Sequence, residues 1–242
     1  MNANAFPESD MQLNMARNHI QLFSTVAGPE FMSIYERVRP QTMLSIERLY
    51  DMYLSCRYVE AAQVPGCILE VGVWKGGALG TALLSEPEST RPVIGFDTFE
   101  GHFMPEADEI DIRGHNMRER WIETTSTGET WAAADVDECY EFLASLTTWK
   151  QRISLVKGDA KVTVPDWSPQ PIAILRIDCD WYAESKIALT ELWPHVSIGG
   201  LLILDDYGHH EGQRRAVDEF FSDRPVKLTH VDYSCISILR TG

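Results

Sequence analysis

Apolar residues along this chain fall into short runs separated by segments of helical spacing. Residues 67–73 (CILEVGV), 92–96 (PVIGF), 153–156 (ISLV), 172–177 (IAILRI) and 201–204 (LLIL) are nearly continuous in apolar, often β-branched side chains. Such runs predict strands covered on both faces. Residues 78–85, 185–193 and 213–221 between them have helical spacing. Two last runs, 226–231 and 235–239, flank Asp232-Tyr233-Ser234 and predict a closing hairpin. Strands alternating with helices imply βαβ units, a mainly parallel sheet of seven strands, and helices on both faces. The hairpin implies one antiparallel strand at or near an edge.

Ahead of this alternation, Pro7, Pro29 and Pro40 divide the first forty residues, with short helices predicted over 11–24 and 30–38. Met43, Ile46, Leu49, Tyr50, Tyr53 and Leu54 recur at three- and four-residue spacing, which predicts a longer helix over 41–63 that Pro65-Gly66 ends. Residues 99–150 do not alternate. They are polar, acidic and contain Trp121, Trp131 and Trp149, which predicts an insertion or lid. The expected organisation is therefore a helical segment, 1–63, and a sheet domain, 64–242, carrying that insertion.

The formal net charge of −15 argues against nucleic acid or an anionic membrane as partner, since both would be repelled. The five cysteines (Cys56, Cys67, Cys139, Cys179 and Cys235) are odd in number, widely spaced and without a C-x-x-C pair, so neither a disulfide framework nor a zinc cluster is expected. No apolar run approaches the ~18–20 residues of a membrane span. The first residues, MNANAFPESDMQ, lack a basic start followed by an apolar run, so no signal peptide is read and the cytoplasm is the expected location.

Chemistry concentrates at the strand ends. In open parallel sheets ligands bind beyond the carboxyl ends of the strands, and four runs contain or stop at an acid: Glu70, Asp97, Asp178 and Asp205. Glu70-Val-Gly72-Val-Trp74-Lys-Gly-Gly77 is a glycine-rich turn, either a ligand-approach loop or a tight strand-to-helix connection. It is not the G-x-G-x-x-G of dinucleotide enzymes. Asp97 either takes ribose hydroxyls or closes a turn. The strongest cluster is Asp178-Cys179-Asp180 at one strand end with Asp205-Asp206 at the next. Strand alternation lets Asp178 and Asp180 point the same way, and neighbouring strands lie ~5 Å apart. Carboxylates this close are costly without a cation or a shared proton, and an all-oxygen set suits Mg²⁺, Ca²⁺ or Mn²⁺. His209 and His210 follow closely. Cys179 is expected to pack.

These motifs, together with Thr42-Met43-x-Ser45-x-Glu47-Arg48, Leu-Val-Lys-Gly158 with Val164-Pro165, Tyr182 and Ser185, and Gly199-Gly200 ahead of Asp205-Asp206-Tyr-Gly, resemble the macrocin O-methyltransferase family in order and register from about residue 40 to 222. The resemblance implies a class I methyltransferase, Rossmann-like fold, with S-adenosylmethionine and Mg²⁺, methylating sugar hydroxyls of natural products. By matched position, Asp178, Asp205 and Asp206 would hold the metal and Asp180 would be the general base. Thr42, Met43 and Ser45 would lie near the methionine end of the cofactor, Glu70, Gly72 and Trp74 would hold its amino-acid portion, and Asp178 would also bind the cofactor. Asp97 would take the ribose, and Gly158 and Asp159 would lie by the adenine. The family further implies a homodimer or higher homo-oligomer in which the first residues form a lid or contact. Ala78 stands where Ser is frequent, and 102–150 departs from the family pattern. Rival expectations are a catechol-type methyltransferase with a phenolic acceptor, a nicotinamide oxidoreductase, and a non-catalytic protein of the same fold.

Overall fold

The computed structural model describes residues 8–242, with side chains from His19 onward; Pro7 lies outside the described residues. In chain order the elements are α1 (Glu8–Val38), α2 (Ile46–Ala61), β1 (Cys67–Val71), α3 (Gly77–Ser85), β2 (Val93–Asp97), α4 (Met117–Ser126), α5 (Val136–Ser145) and β3 (Ile153–Lys157). There follow α6 (Ala160–Thr163), β4 (Ile172–Ile177), α7 (Tyr182–Leu192), β5 (Val196–Leu204), α8 (Glu211–Phe220), β6 (Leu228–His230) and β7 (Ile236–Leu239). No helix among the described residues is long and apolar enough to cross a membrane.

The strands form one sheet in the order β3-β2-β1-β4-β5-β7-β6. All neighbours are parallel except at β7, which runs against both β5 and β6. The expected single antiparallel strand thus sits one place in from an edge. The order reverses between β1 and β4, the position where such sheets open a crevice for ligands.

Side chains alternate across the sheet. Leu69, Val71, Phe96, Leu175, Ile177, Leu202 and Leu204 face the core shared with α7 and α8. Ile68, Val93, Ile174 and Ile203 face the opposite core, shared with α2, α3 and α5. Each of these fully buried aliphatic or aromatic side chains contributes about 1.5–3 kcal/mol through removal from water. The helix α1 adds an outer layer, with Phe31, Ile34 and Val38 packed on Ile46 and Leu49 of α2.

Two boundaries differ from expectation. Gly28, at φ +78°, and Pro29 break α1 into two arms, as the proline pattern implies, but the first arm runs back to Glu8. The helix α2 begins at Ile46, not 41, because Ser45 caps it by accepting the Arg48 N–H. Residues 39–41 form a separate 3-10 turn. Met43 therefore lies off the helix and is 68% exposed, not part of an apolar helix face.

The stretch 99–150 contains two structures. The helix α5 is the crossover on the α3 side of the sheet, with Cys139 and Leu143 packed into that core. Residues 102–121 instead cross the carboxyl ends of the strands. The Ile112 N–H donates to the His209 carbonyl (2.8 Å), and the Glu211 N–H donates to the Ile110 carbonyl (3.1 Å). The Trp121 indole N–H donates to the His102 carbonyl (2.8 Å). The buried Glu109 carboxylate accepts the Tyr182 N–H at the start of α7 (2.8 Å).

Gly72 ends β1 at φ +90°, and a Cβ there would stand 1.8 Å from the Asp178 carbonyl oxygen. Gly72→Ala is expected to cost more than about 3 kcal/mol, since left-handed strain of ~1–3 kcal/mol adds to the clash. Urea unfolding measures it; a loss under ~1 kcal/mol would show that the two strand ends can separate freely.

Candidate active site

The site is built on one alternation. Ile68 and Glu70 on β1, Ile174 and Arg176 on β4, and Ile203 on β5 are in phase, so Glu70 and Arg176 point toward α2. Register places Glu70 opposite Arg176 and Arg176 opposite Ile203. Asp178 and Asp205 continue the same phase just past the strands. Arg176 is 2% exposed; one guanidinium nitrogen donates to Glu70 and to Asp178 Oδ2 (2.7 Å), and the other donates to Asp205 Oδ1. Arg48 reaches in from α2, donating through Nη1 to Asp205 Oδ2 and through Nε to Asp232 Oδ2 (2.7 Å). Asp232 in turn closes the β6–β7 turn by accepting the Ser234 and Cys235 N–H groups (2.9 and 2.8 Å).

Acids outnumber guanidiniums here, and their ionisation shows it. Burial pushes Glu70 up to about 8, against the pull of Arg176. Burial and the neighbouring Asp178 push Asp205 up to about 7, although Arg176 and Arg48 oppose this. Burial alone raises Asp51, beneath them on α2, to about 6.

Above this layer Asp178, Asp205 and Asp206 bring ligand oxygens within 4.8 Å of one another. Burial drives the Asp206 carboxyl far above the usual carboxylate range, and Asp180, Asp178 and Asp205 add to the effect. Its Oδ2 is buried without a hydrogen-bond partner. An all-oxygen set with an orphaned carboxylate oxygen fits a hard divalent cation, which would relieve the repulsion. Asp180 reaches this cluster by a route the strand pattern does not contain. The strand β4 ends at Ile177, and Asp180 adopts φ +59°, a left-handed conformation uncommon for a non-glycine residue. Burial would raise its carboxyl, but His210 and His102 outweigh this and hold it below its ordinary value. His102 Nε2 lies 3.2 Å from Asp180 Oδ2.

The carboxylates open onto a cavity of about 350 Å³, within the usual size range of small-molecule sites. Gly72, Trp74, Asp97, Gly158, Asp159 and Met43 line it. Asp97 closes the turn, one of its two expected roles. Its Oδ2 accepts the Val73 and Trp74 N–H groups (2.7 and 2.8 Å), and its Oδ1 accepts the Phe99 N–H (2.7 Å). It therefore holds the glycine-rich turn in shape and lines the cavity, and the Thr98 hydroxyl lies 3.5 Å from its Oδ1. Asp159 caps the short α6 by accepting the Lys161 N–H.

Three expected cofactor contacts do not reach the cavity. Glu70 lies beneath its floor, held by Arg176, because strand phase turns it toward α2. The Ser45 hydroxyl caps α2 and donates to Asp232. The Thr42 hydroxyl accepts the Leu44 N–H within its own turn.

The insertion contributes residues that sequence reasoning passed over or left without partners. His102 and Trp131 meet Trp181 and His210 in an aromatic wall, with His102–Trp181 and Trp181–His210 ring centroids 5.3 and 5.1 Å apart. Trp121 and Trp149 lie off the cavity wall. Cys179 packs against the core, as expected. Arg176 had a legible signal: a charged residue inside an otherwise apolar, doubly covered strand must be paired, and the acids in phase with it are Glu70 and Asp178. His102 had no such signal, since its partner lies 78 residues away by number (180 against 102).

The sheet order, the glycine-rich turn after β1 and the acids at the ends of β2, β4 and β5 together define a class I methyltransferase fold. The NovP O-methyltransferase structure superposes with a TM-score of 0.72 at 28% identity, covering 84% of this chain and 83% of that one. The family model for macrocin-O-methyltransferase (TylF) matches residues 37–240, and the chain belongs to that family of O-methyltransferases. A demethyldecarbamoylnovobiocin O-methyltransferase of Streptomyces niveus is 30% identical over 182 residues, 74% of this chain and 67% of the relative. A tetracenomycin-pathway relative of Streptomyces olivaceus, named as an 8-demethyl-8-(2,3-dimethoxy-alpha-L-rhamnosyl)-tetracenomycin-C 4'-O-methyltransferase, is 29% identical over 169 residues, 69% of this chain and 62% of the relative. The matched segment thus spans roughly two thirds of these relatives.

Arg176→Met is expected to be among the most destabilising single changes. It leaves Glu70, Asp178 and Asp205 short of their shared cation, and breaking a buried pair costs about 3–5 kcal/mol. Denaturant melts measure it; a loss below ~1 kcal/mol would mean that the acids hold protons in place of the guanidinium.

Proposed function

We propose that this chain transfers the methyl group of S-adenosylmethionine to a hydroxyl of a sugar, carried either on a glycosylated natural product or on a deoxysugar nucleotide, with Mg²⁺ or another divalent cation bound. The observation that carries this reading is the opening of Asp178, Asp205 and Asp206 onto the same cavity as the Gly72 turn and Asp97. The named activity of the Streptomyces olivaceus relative, 4'-O-methylation of a rhamnosyl-tetracenomycin, supports the acceptor class.

Asp178, Asp205 and Asp206 would hold the cation, whose chemistry is to lower the pKa of a sugar hydroxyl presented to it. Asp180 takes the hydroxyl proton. It lines the cavity beside the acidic cluster, with His102 Nε2 3.2 Å from its Oδ2, and is placed to take that proton. The Gly72 turn and Trp74 would hold the amino-acid end of the methyl donor, Asp97 would take the ribose, and Gly158 and Asp159 would border the adenine. The Trp131–Trp181 wall excludes water and gives the apolar face of a sugar ring a surface to rest on. Methyl transfer needs the acceptor oxygen and the donor methyl in line, so positioning by the turn and the insertion supplies much of the rate.

Residues 1–63 are proposed to contribute to self-association, probed by the exposed Leu22 and Val26 on α1 (70% and 74%). Light scattering is expected to give the mass of a dimer or larger assembly; a monomer at micromolar concentration overturns this.

Calorimetry with S-adenosylmethionine tests the donor, and a panel of glycosides, deoxysugar nucleotides and catechols tests the acceptor. Asp180→Asn is expected to keep donor affinity and lose about 10²–10⁴-fold in turnover, the usual contribution of a positioned base. Absence of donor binding, or full turnover in chelator, overturns the reading; turnover confined to catechols moves the acceptor to phenols.

A further inference from the structure

We infer that the cavity holds a second divalent-cation position, formed by Asp180, Asp206 and His210 and suited to an imidazole-preferring ion such as Zn²⁺ or Co²⁺. One ligand atom from each of these residues lies within 4.8 Å of the other two. The set shares only Asp206 with the all-oxygen cluster and differs from it in chemistry, offering one nitrogen and two carboxylates.

The distribution of guanidiniums separates the two positions. Both oxygens of Asp205 and one of Asp178 accept from Arg48 or Arg176. Asp180 and Asp206 meet no guanidinium among the described residues. The carboxyl groups left without a permanent cation are therefore those of Asp180 and Asp206. His210 completes the set: its Nε2 stands 3.8 Å from Asp180 Oδ2, too far for a hydrogen bond. Asp206 Oδ2 is buried with no hydrogen-bond partner, and Asp206 and His210 are both more than nine-tenths buried. An orphaned buried acceptor calls for a ligand, and here it belongs to the triad that His210 Nε2 faces.

The triad is also held in place. The Asp206 carbonyl accepts the His210 N–H (2.8 Å), and the Asp206 N–H donates to Gln213 Oε1 (2.8 Å). The His210 ring packs edge-on against Trp181, and the left-handed turn at Asp180 aims that carboxylate inward. Mg²⁺ takes oxygen ligands and disfavours this set, whereas imidazole with carboxylates suits Zn²⁺ and Co²⁺. An ion bound there holds Asp180 as a ligand. Inhibition of methyl transfer by Zn²⁺ is the functional consequence and rests on the reaction proposed above; occupation of the site does not.

The test is a calorimetric titration of Zn²⁺ into the full-length protein saturated with Mg²⁺, paired with Co²⁺ absorbance to report nitrogen ligation. One Zn²⁺ site is expected in the wild type. His210→Gln should weaken it by more than about a hundredfold, since even residues that merely support a metal ligand cost ~10–100-fold. Asp180→Asn should weaken it as well, giving a second variant should His210→Gln melt early. Asp178→Asn should reduce Mg²⁺ binding and leave the Zn²⁺ isotherm in place. An unchanged Zn²⁺ isotherm in folded His210→Gln overturns the proposal, as does loss of the Zn²⁺ site in Asp178→Asn, which would place zinc in the all-oxygen cluster. Failure of S-adenosylmethionine to bind would overturn the methyl-transfer reading alone.

Discussion

The site depends on one arginine inside a strand. Arg176 lies in the middle of an otherwise apolar sheet, where an unpaired charge is prohibitively costly, and it is tolerated because three carboxylates converge on it. The dependence runs both ways. Without its guanidinium, acids from β1, β4 and the end of β5 could not sit within a few ångströms of each other in the interior. Arg48 performs the same office from α2 and ties the cluster to the β6–β7 turn through Asp232. One buried network thus joins the central strands, the first sheet-covering helix and the closing hairpin, directly beneath the cavity.

Over that foundation the chain leaves a second tier of carboxylates deliberately short of cations. Asp206 has a buried oxygen without a partner, and Asp180 beside it has histidines and no guanidinium for company. The lower tier is paired with guanidiniums; Asp180 and Asp206 in the upper tier are not. The positioning elements are rigid for backbone reasons. Gly72 allows the ends of β1 and β4 to touch, and Asp97 pins the following turn through three backbone N–H groups. The insertion then closes the cavity from above by backbone bonds to residues 209–211 and by the Glu109 carboxylate at the start of α7.

The sheet, its near-edge antiparallel strand and the convergence of Asp178, Asp205 and Asp206 were legible in the sequence. Apolar runs, strand phase and acids at strand ends are local patterns, and packing obeys them. Expectations failed where a local hydrogen bond overrode periodicity. Ser45 starts α2 later than its apolar spacing implies, leaving Met43 at the cavity mouth. Glu70 looked like a strand-end ligand, yet strand phase puts it under the floor with Arg176. Asp180 joins Asp178 through a left-handed turn and not through strand alternation.

The sequence by itself therefore determined the class of fold, the row of acids at the sheet's carboxyl edge and the glycine turn beside them, because each follows from a period of two or from a residue's own backbone freedom. Only the tertiary structure decided which acids pair with Arg48 and Arg176 and which meet no guanidinium. It alone brought His102 from the insertion and His210 from the start of α8 to Asp180. Those pairings depend on how a loop folds back across strands far from it in sequence, and distances of that kind are created by packing.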